Sequence, residues 1–278
     1  MTKTNEAHRH ENAASRSERL RRLGELLRSG HGARGKTSVI RALTRERWRS
    51  TAHRDVIAVP MADLGGQRIY VRPQTTDLAN AASYFSRSIH RPPPSVRDPR
   101  RIVELGTNMG AGLTALALAH PEARLVGVEP DPGNLAIASL NTARFGDRVR
   151  LVQAAIWDTD ADLVLEPGSV GEHGFTIRPR LEEDAGAGRL AALTIDALLE
   201  RSFPGEEVDY MHVTIEGSEP RVFAAGGAWP ERVRALRVEA HPYLDYSVAA
   251  CAAQLEALGY VTAPVPDPPG KWVFAWRP

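Results

Sequence analysis

Val103-Glu104-Leu105-Gly106-Thr107-Asn108-Met109-Gly110-Ala111-Gly112 runs from a short apolar stretch through three glycines into a helix-forming run. Glycines at such a turn let the chain reverse tightly and let its backbone come close to a ligand. The spacing is G-x-x-x-G-x-G, so the G-x-G-x-x-G arrangement that cradles a dinucleotide pyrophosphate is missing. Glu104, placed before the first glycine, would repel phosphates and attract an ammonium group.

Outward from this turn the pattern alternates. Arg101 to Leu105 reads as a strand, Gly112 to Ala119 as a helix, Leu125 to Glu129 as a strand, Pro132 to Arg144 as a helix, and Val149 to Gln153 as a strand. Strands alternating with helices form a parallel sheet covered on both faces. Glu129 ends the second strand, where an acidic side chain can accept hydrogen bonds from both hydroxyls of a ribose. Asp131 and Pro132 follow as N-cap and first turn of the next helix. Taken singly, the glycines read as a plain turn and the acid as a cap. In consecutive β/α units they point to a nucleoside, and the ammonium preference of Glu104 makes S-adenosylmethionine the preferred one.

The remaining chain extends the same sheet. Tyr210 to Ile215 and Ala235 to Ala240 read as buried strands separated by a Ser218 to Ala225 helix. A helix from Ser247 to Leu258 ends at Gly259, a left-handed cap, and Tyr260 to Pro264 with Trp272 to Trp276 would close the sheet as an antiparallel pair. Upstream, Arg91-Pro92-Pro93-Pro94 stops a helix that starts at Asp77, and Gly65-Gly66 splits Val56 to Val71 into a hairpin. Leu20, Leu23, Leu26 and Leu27 repeat at helical spacing, the Gly-rich Ser29 to Gly35 is expected to break that helix, and a second piece covers Ser38 to Trp48. Residues 1 to about 18 have little to bury, which predicts disorder. Three divisions follow: a basic extension over 1–54, a cap segment over 55–98 and a Rossmann-like α/β domain over 99–278.

Composition limits the classes further. The chain has 278 residues, 42% hydrophobic and 25% charged, with no apolar stretch long enough to cross a bilayer. The single cysteine, Cys251, and the polar basic start fit a cytoplasmic protein. Residues 1–54 carry 14 Lys or Arg against 5 Asp or Glu, and the remainder 21 against 29. Such an arm can attract nucleic acid, acidic membrane surfaces or anionic substrates, and its plainer reading is a solvated, partly helical extension or the dimerisation arm of a homo-oligomer. The histidines show no metal-ligand spacing, and neither a P-loop nor a G-x-S-x-G elbow occurs.

With these residues in hand, the stretch from about Tyr70 to Tyr243 resembles the FkbM family of S-adenosylmethionine-dependent methyltransferases, whose members mostly modify hydroxyls of sugars, polyketides and other natural products. VELGTNMGAG at Val103 to Gly112 looks like the family's D-x-G-A-N-x-G, with Glu104 for Asp and Thr107 for Ala. VGVEPDPGN at Val126 to Asn134 matches E-P-x-P-x-N, Ala155-Ile156-Trp157 resembles Ala-x-Trp, and VRPQTTD at Val71 to Asp77 resembles the Arg and Thr-x-Asp segment. Leu193 to Asp196 looks like the start of T-x-D-x-L, and Val213 to Glu219, with Trp229 and Leu236 to His241, resembles K-I-D-x-E-G-x-E followed by W and E-x-H. His212 and Thr214 depart from it, standing where the family usually has Lys and Asp. The resemblance implies a class I methyltransferase fold, with Glu104, Gly106, Thr107, Asn108, Gly110, Glu129, Pro130, Asn134, Ala155 and Asp77 around the cofactor.

Methyl transfer from a sulfonium to oxygen is an in-line displacement, governed largely by alignment and exclusion of water. A hydroxyl acceptor must still lose its proton, and a neutral imidazole or a carboxylate can take it. His241 and then Glu216 are the candidates, since both follow predicted strands at the carboxyl edge where open α/β sheets place ligands. Each also has a plain structural reading, His241 as a hydrogen-bonding partner near Pro242 and Glu216 as a turn. Asn108 either binds the methionine carboxylate or holds the loop, Asp77 is a helix cap or a ligand contact, and Trp157 borders the adenine or fills the core. The expected acceptor is a hydroxylated small molecule, with Ala161 to Gly188 helping to line its pocket. RNA methylation and non-catalytic cofactor binding are the competing functions.

Overall fold

The computed structural model describes residues 21, 23–44, 56–166, 176–184, 188–266 and 270–278. By internal packing the chain forms two units, Met1–Ala82 and Ser83–Pro278. The first contains helix α1 (Gly32–Thr44) and strands β1 (Ile57–Pro60) and β2 (Arg68–Val71). The two strands pair antiparallel across Gly65 and Gly66, both at positive φ, as the hairpin reading required. α1 begins inside the Gly-rich stretch rather than at Ser38, which corrects the expected helix start. The stretch does interrupt the preceding helix, which ends at Ser29, and its glycines also serve a close backbone crossing: a Cβ on Gly35 would lie 2.7 Å from both the Gly30 carbonyl carbon and the Pro60 oxygen. The end of the expected Ser38 to Trp48 helix and the 1–18 segment lie outside the described residues.

Helix α2 (Asp77–Arg87) precedes the alternating core of the second unit. There β3 (Arg101–Leu105), α3 (Ala111–Ala119), β4 (Arg124–Glu129), α4 (Pro132–Thr142) and β5 (Val149–Gln153) follow one another as the sequence pattern predicts. Asp131 caps α4 by accepting the Asn134 N–H at 2.6 Å, with Pro132 in the first turn. Four short strands come next, β6 (Ala155–Ile156), β7 (Asp162–Glu166), β8 (Thr176–Pro179) and β9 (Leu190–Leu193), forming a small sheet in the order β6-β9-β7-β8 that the sequence did not announce. Then come α5 (Ile195–Ser202), β10 (Tyr210–Val213), α6 (Glu219–Ala225), α7 (Trp229–Arg232), β11 (Ala235–Glu239), α8 (Val248–Ala257), β12 (Val261–Pro264) and β13 (Trp272–Trp276). Gly259, at φ 89°, makes the left-handed exit from α8.

The seven-stranded sheet has the order β12-β13-β11-β10-β3-β4-β5. β11, β10, β3, β4 and β5 are parallel, while β13 inserts antiparallel between β11 and β12. This is the Rossmann-like class I methyltransferase fold. One face buries Val103, Leu105, Met211, Val213, Leu236 and Val238 against Leu198, Leu199, Phe223 and Leu255 of the helices. The other packs Ile102, Leu125 and Tyr210 on Leu113 and Leu116 of α3. Each such aliphatic side chain removed from water contributes about 1.5–3 kcal/mol, so the strands are fixed on both faces and their carboxyl edge is held rigid. No described helix is long and apolar enough to cross a membrane.

Candidate functional site

The carboxyl edge gathers the glycine loop after β3, the end of β4 and the turns after β10 and β11. Gly106 stands at φ 83°, and a Cβ there would lie 1.9 Å from the Thr214 carbonyl oxygen. Gly110, at φ 79°, would meet Ala138 Cα at 2.9 Å, and Gly112 would meet a Glu104 carboxylate oxygen at 2.1 Å. The glycine spacing therefore sets how closely the loop lies against β10, α4 and its own strand. The Thr214 hydroxyl adds to this by donating to the Leu105 and Gly106 carbonyls at 3.2 and 3.1 Å.

Glu129 closes the loop from the other side. Its carboxylate accepts the Asn108 N–H at 2.8 Å, the Asp131 N–H at 2.9 Å and the Asn134 side-chain amide at 3.3 Å. All of these donors are neutral, and burial lifts its carboxyl to about 7, although the three hydrogen bonds pull it back down. A buried carboxylate at a strand end with a lone pair left over can accept from a ribose hydroxyl, so the group here fits the ribose of S-adenosylmethionine. Asn108 sits at φ 48°, and its Oδ1 accepts the next backbone N–H, which favours the loop-holding role. Pro130 carries the chain from Glu129 to the Asp131 cap, and Ala155 is fully buried with Leu163 and Leu190. Trp157 is buried too, beneath the Arg221 guanidinium at 5.0 Å. Asp77 belongs to the first unit, where Arg72 holds both its oxygens at 2.8 and 2.7 Å.

Glu104 points inward. It accepts from the Thr107 hydroxyl and lies 3.2 Å from His212 Nδ1, with Glu104 and His212 paired in register across β3 and β10. All three side chains are buried, and the His212 ring stacks on Trp272 at 5.5 Å. The residues that depart from the family pattern thus have local work: Thr214 ties the glycine loop down, and His212 holds the acidic residue beneath it.

At the ends of β10 and β11 a second acidic cluster forms. Glu216 is in the left-handed region at φ 47°, a strained setting for a non-glycine side chain. Glu219 holds that turn in place, accepting the Ile215 and Gly217 N–H groups at 2.9 and 2.8 Å. The buried His241 ring lies between the two, Nδ1 at 3.3 Å from Glu219 and Nε2 at 3.5 Å from Glu216. Both contacts are ion pairs by distance. Burial alone would lower the imidazole, but the two carboxylates outweigh it and lift His241 to about 10. The two carboxylates therefore favour the protonated ring over the neutral one. Tyr243 donates its hydroxyl to Glu216. Neither Tyr243 nor the double capping by Glu219 was anticipated from sequence, although the Glu-Gly-x-Glu spacing carries the second signal.

No protein-family model matches the chain. Over 69 residues it is 42% identical to the ribosomal RNA small subunit methyltransferase H of Leifsonia xyli, covering 24% of this chain and 21% of that protein. It is 38% identical over 68 residues to the release factor glutamine methyltransferase of Geobacter sulfurreducens, covering 24% of each. Among solved structures, the precorrin-6y C5,15-methyltransferase of Geobacter metallireducens overlaps 75% of this chain and 92% of that one, at 14% identity and a TM-score of 0.42. The chain spans about a quarter or less of the length of these two curated relatives. In its matched stretches of sequence, the chain is similar to methyltransferases.

Proposed function

We propose that this chain transfers a methyl group from S-adenosylmethionine to a hydroxyl of a small molecule. The observation that carries the reading is Glu129: a buried carboxyl at the end of β4, held by backbone and amide N–H groups and fastened to the glycine loop. In this reading Glu129 takes the ribose, and the loop from Gly106 to Gly110, with Asn134 behind it, takes the rest of the cofactor. When bound, the cofactor supplies an electrophilic methyl on a positively charged sulfur. Glu216 accepts the proton of the acceptor hydroxyl. His241, charged and buried, positions Glu216 and Glu219 rather than acting as a base. The FkbM resemblance supports oxygen as the methylated atom.

Methylation of ribosomal RNA is the second reading, favoured by the ribosomal RNA methyltransferase relatives and by the excess of basic residues in 1–54. Label transfer from methyl-labelled S-adenosylmethionine to hydroxylated small molecules and to ribosomal RNA separates them. Label in the small-molecule fraction supports the first. Label in RNA alone, with salt-dependent binding that is lost without residues 1–54, replaces it with the second.

A further inference from the structure

Tyr243 brings a phenol to Glu216 from within the protein itself. It lies in a single turn at Pro242–Leu244, is 63% exposed, and donates its hydroxyl to Glu216, whose side chain is 20% exposed. Its ring stands edge-on to His241 at 5.5 Å. The exposed Leu244 beside it reaches over Gly217, where an added Cβ would meet its Cδ1 at 2.7 Å. An aromatic ring and a leucine are thus held in water next to a carboxylate whose own backbone is strained, and backbone strain of this kind collects at ligand sites. With His241 bracketed by Glu216 and Glu219, a carboxylate is the proton acceptor on this turn. A carboxylate is a weak base, better matched to a phenol, with a pKa of about 10, than to the much less acidic hydroxyl of an alcohol or sugar.

Resting on the methyl-transfer reading, we propose that the acceptor is a phenol whose ring lies against Tyr243 and Leu244 and whose hydroxyl replaces that of Tyr243 on Glu216. As the phenol O–H bond breaks, its proton passes to the Glu216 carboxylate. The oxygen lone pair forms the bond to the methyl carbon, and the carbon–sulfur bond breaks with its electron pair returned to sulfur.

The test uses the full chain with naphthol, its fully saturated alcohol and methyl glucoside, in calorimetric titrations with S-adenosylhomocysteine present and in methyl-transfer assays. Naphthol should bind, and Tyr243→Ala should weaken that binding by about tenfold or more while leaving S-adenosylhomocysteine affinity unchanged. Naphthol should be methylated, the two alcohols should not, and Glu216→Gln should lower kcat by about a hundredfold or more with little change in KM. The proposal is overturned if S-adenosylhomocysteine binds but naphthol does not, or if the alcohols are methylated as readily as naphthol. Failure of S-adenosylhomocysteine itself to bind would instead remove the methyl-transfer reading, and this proposal with it.

Discussion

Replacing Gly106 by alanine tests whether the glycine loop is fixed by its contact with β10. The new Cβ would lie 1.9 Å from the Thr214 carbonyl oxygen and 2.8 Å from its carbonyl carbon, both backbone atoms that no rotamer change can move away. The left-handed backbone at φ 83° adds about 1–2 kcal/mol for any residue with a Cβ. Forcing a methyl group into a filled space costs about 1–3 kcal/mol more. Together these predict a loss of roughly 2–5 kcal/mol, a drop in Tm of roughly 5–20 °C for a chain of this size. Gly259→Ala is the matched control, since Gly259 has φ 89° with nothing within 4 Å of an added Cβ, so it carries the backbone cost alone. Thermal and urea unfolding of both variants, with S-adenosylhomocysteine titration of each, should show Gly106→Ala clearly the worse on stability and much the weaker in binding. Equal midpoints for the two variants would refute the steric reasoning.

Three other outcomes follow from the same geometry. Glu129 has a folded-state value of about 7, above its ordinary 4.5, so the folded protein holds that proton more tightly than the unfolded chain. Its contribution is complete below pH 4.5 and is lost as pH rises through about 7, and unfolding of Glu129→Gln against the parent should show the variant gaining up to roughly 3 kcal/mol between pH 5 and pH 8. A flat difference across that range would contradict the burial argument. His241, raised to about 10, should show no titration of its ring resonances between pH 6 and 8 by NMR. His241→Gln should destabilise by about 3–5 kcal/mol at pH 7, because it leaves Glu216 and Glu219 facing each other, and the loss should shrink as pH rises through about 10. Thr214→Asp, which installs the Asp of the FkbM motif that the sequence resembles, should cost about 1–3 kcal/mol in urea unfolding, because a carboxylate would face the Leu105 and Gly106 carbonyls that the threonine hydroxyl now bonds. A neutral or stabilising Thr214→Asp would show that the hydroxyl is not what holds the loop.

Much of the fold is written in apolar runs bounded by turn residues. Ile102, Val103 and Leu105 read as a buried strand because a glycine turn follows them at once, and Asp131-Pro132 marks the next helix start. The small sheet of β6 to β9 escaped notice because its strands are two to five residues long and lie in a polar, glycine-bearing stretch with no periodicity to read. The α1 start was misplaced for a related reason. A glycine that allows two backbones to cross looks, in one dimension, the same as a glycine that ends a helix. At the site, Glu129 was legible because strand end and helix cap flank it. The inward turn of Glu104 was not, since it depends on the register that sets Glu104 beside His212 on a strand more than a hundred residues later. The setting of His241 was hidden likewise, because it depends on two carboxylates, Glu216 and Glu219, that follow a neighbouring strand.

The central claim is that the carboxyl edge around Glu129 and the glycine loop binds S-adenosylmethionine, and calorimetric titration of the full chain with S-adenosylmethionine, S-adenosylhomocysteine and NAD tests it most directly. The account predicts binding of both S-adenosyl ligands, none of NAD, and loss of the binding in Glu129→Ala. Binding of NAD alone, or S-adenosylhomocysteine binding that survives Glu129→Ala undiminished, would contradict it.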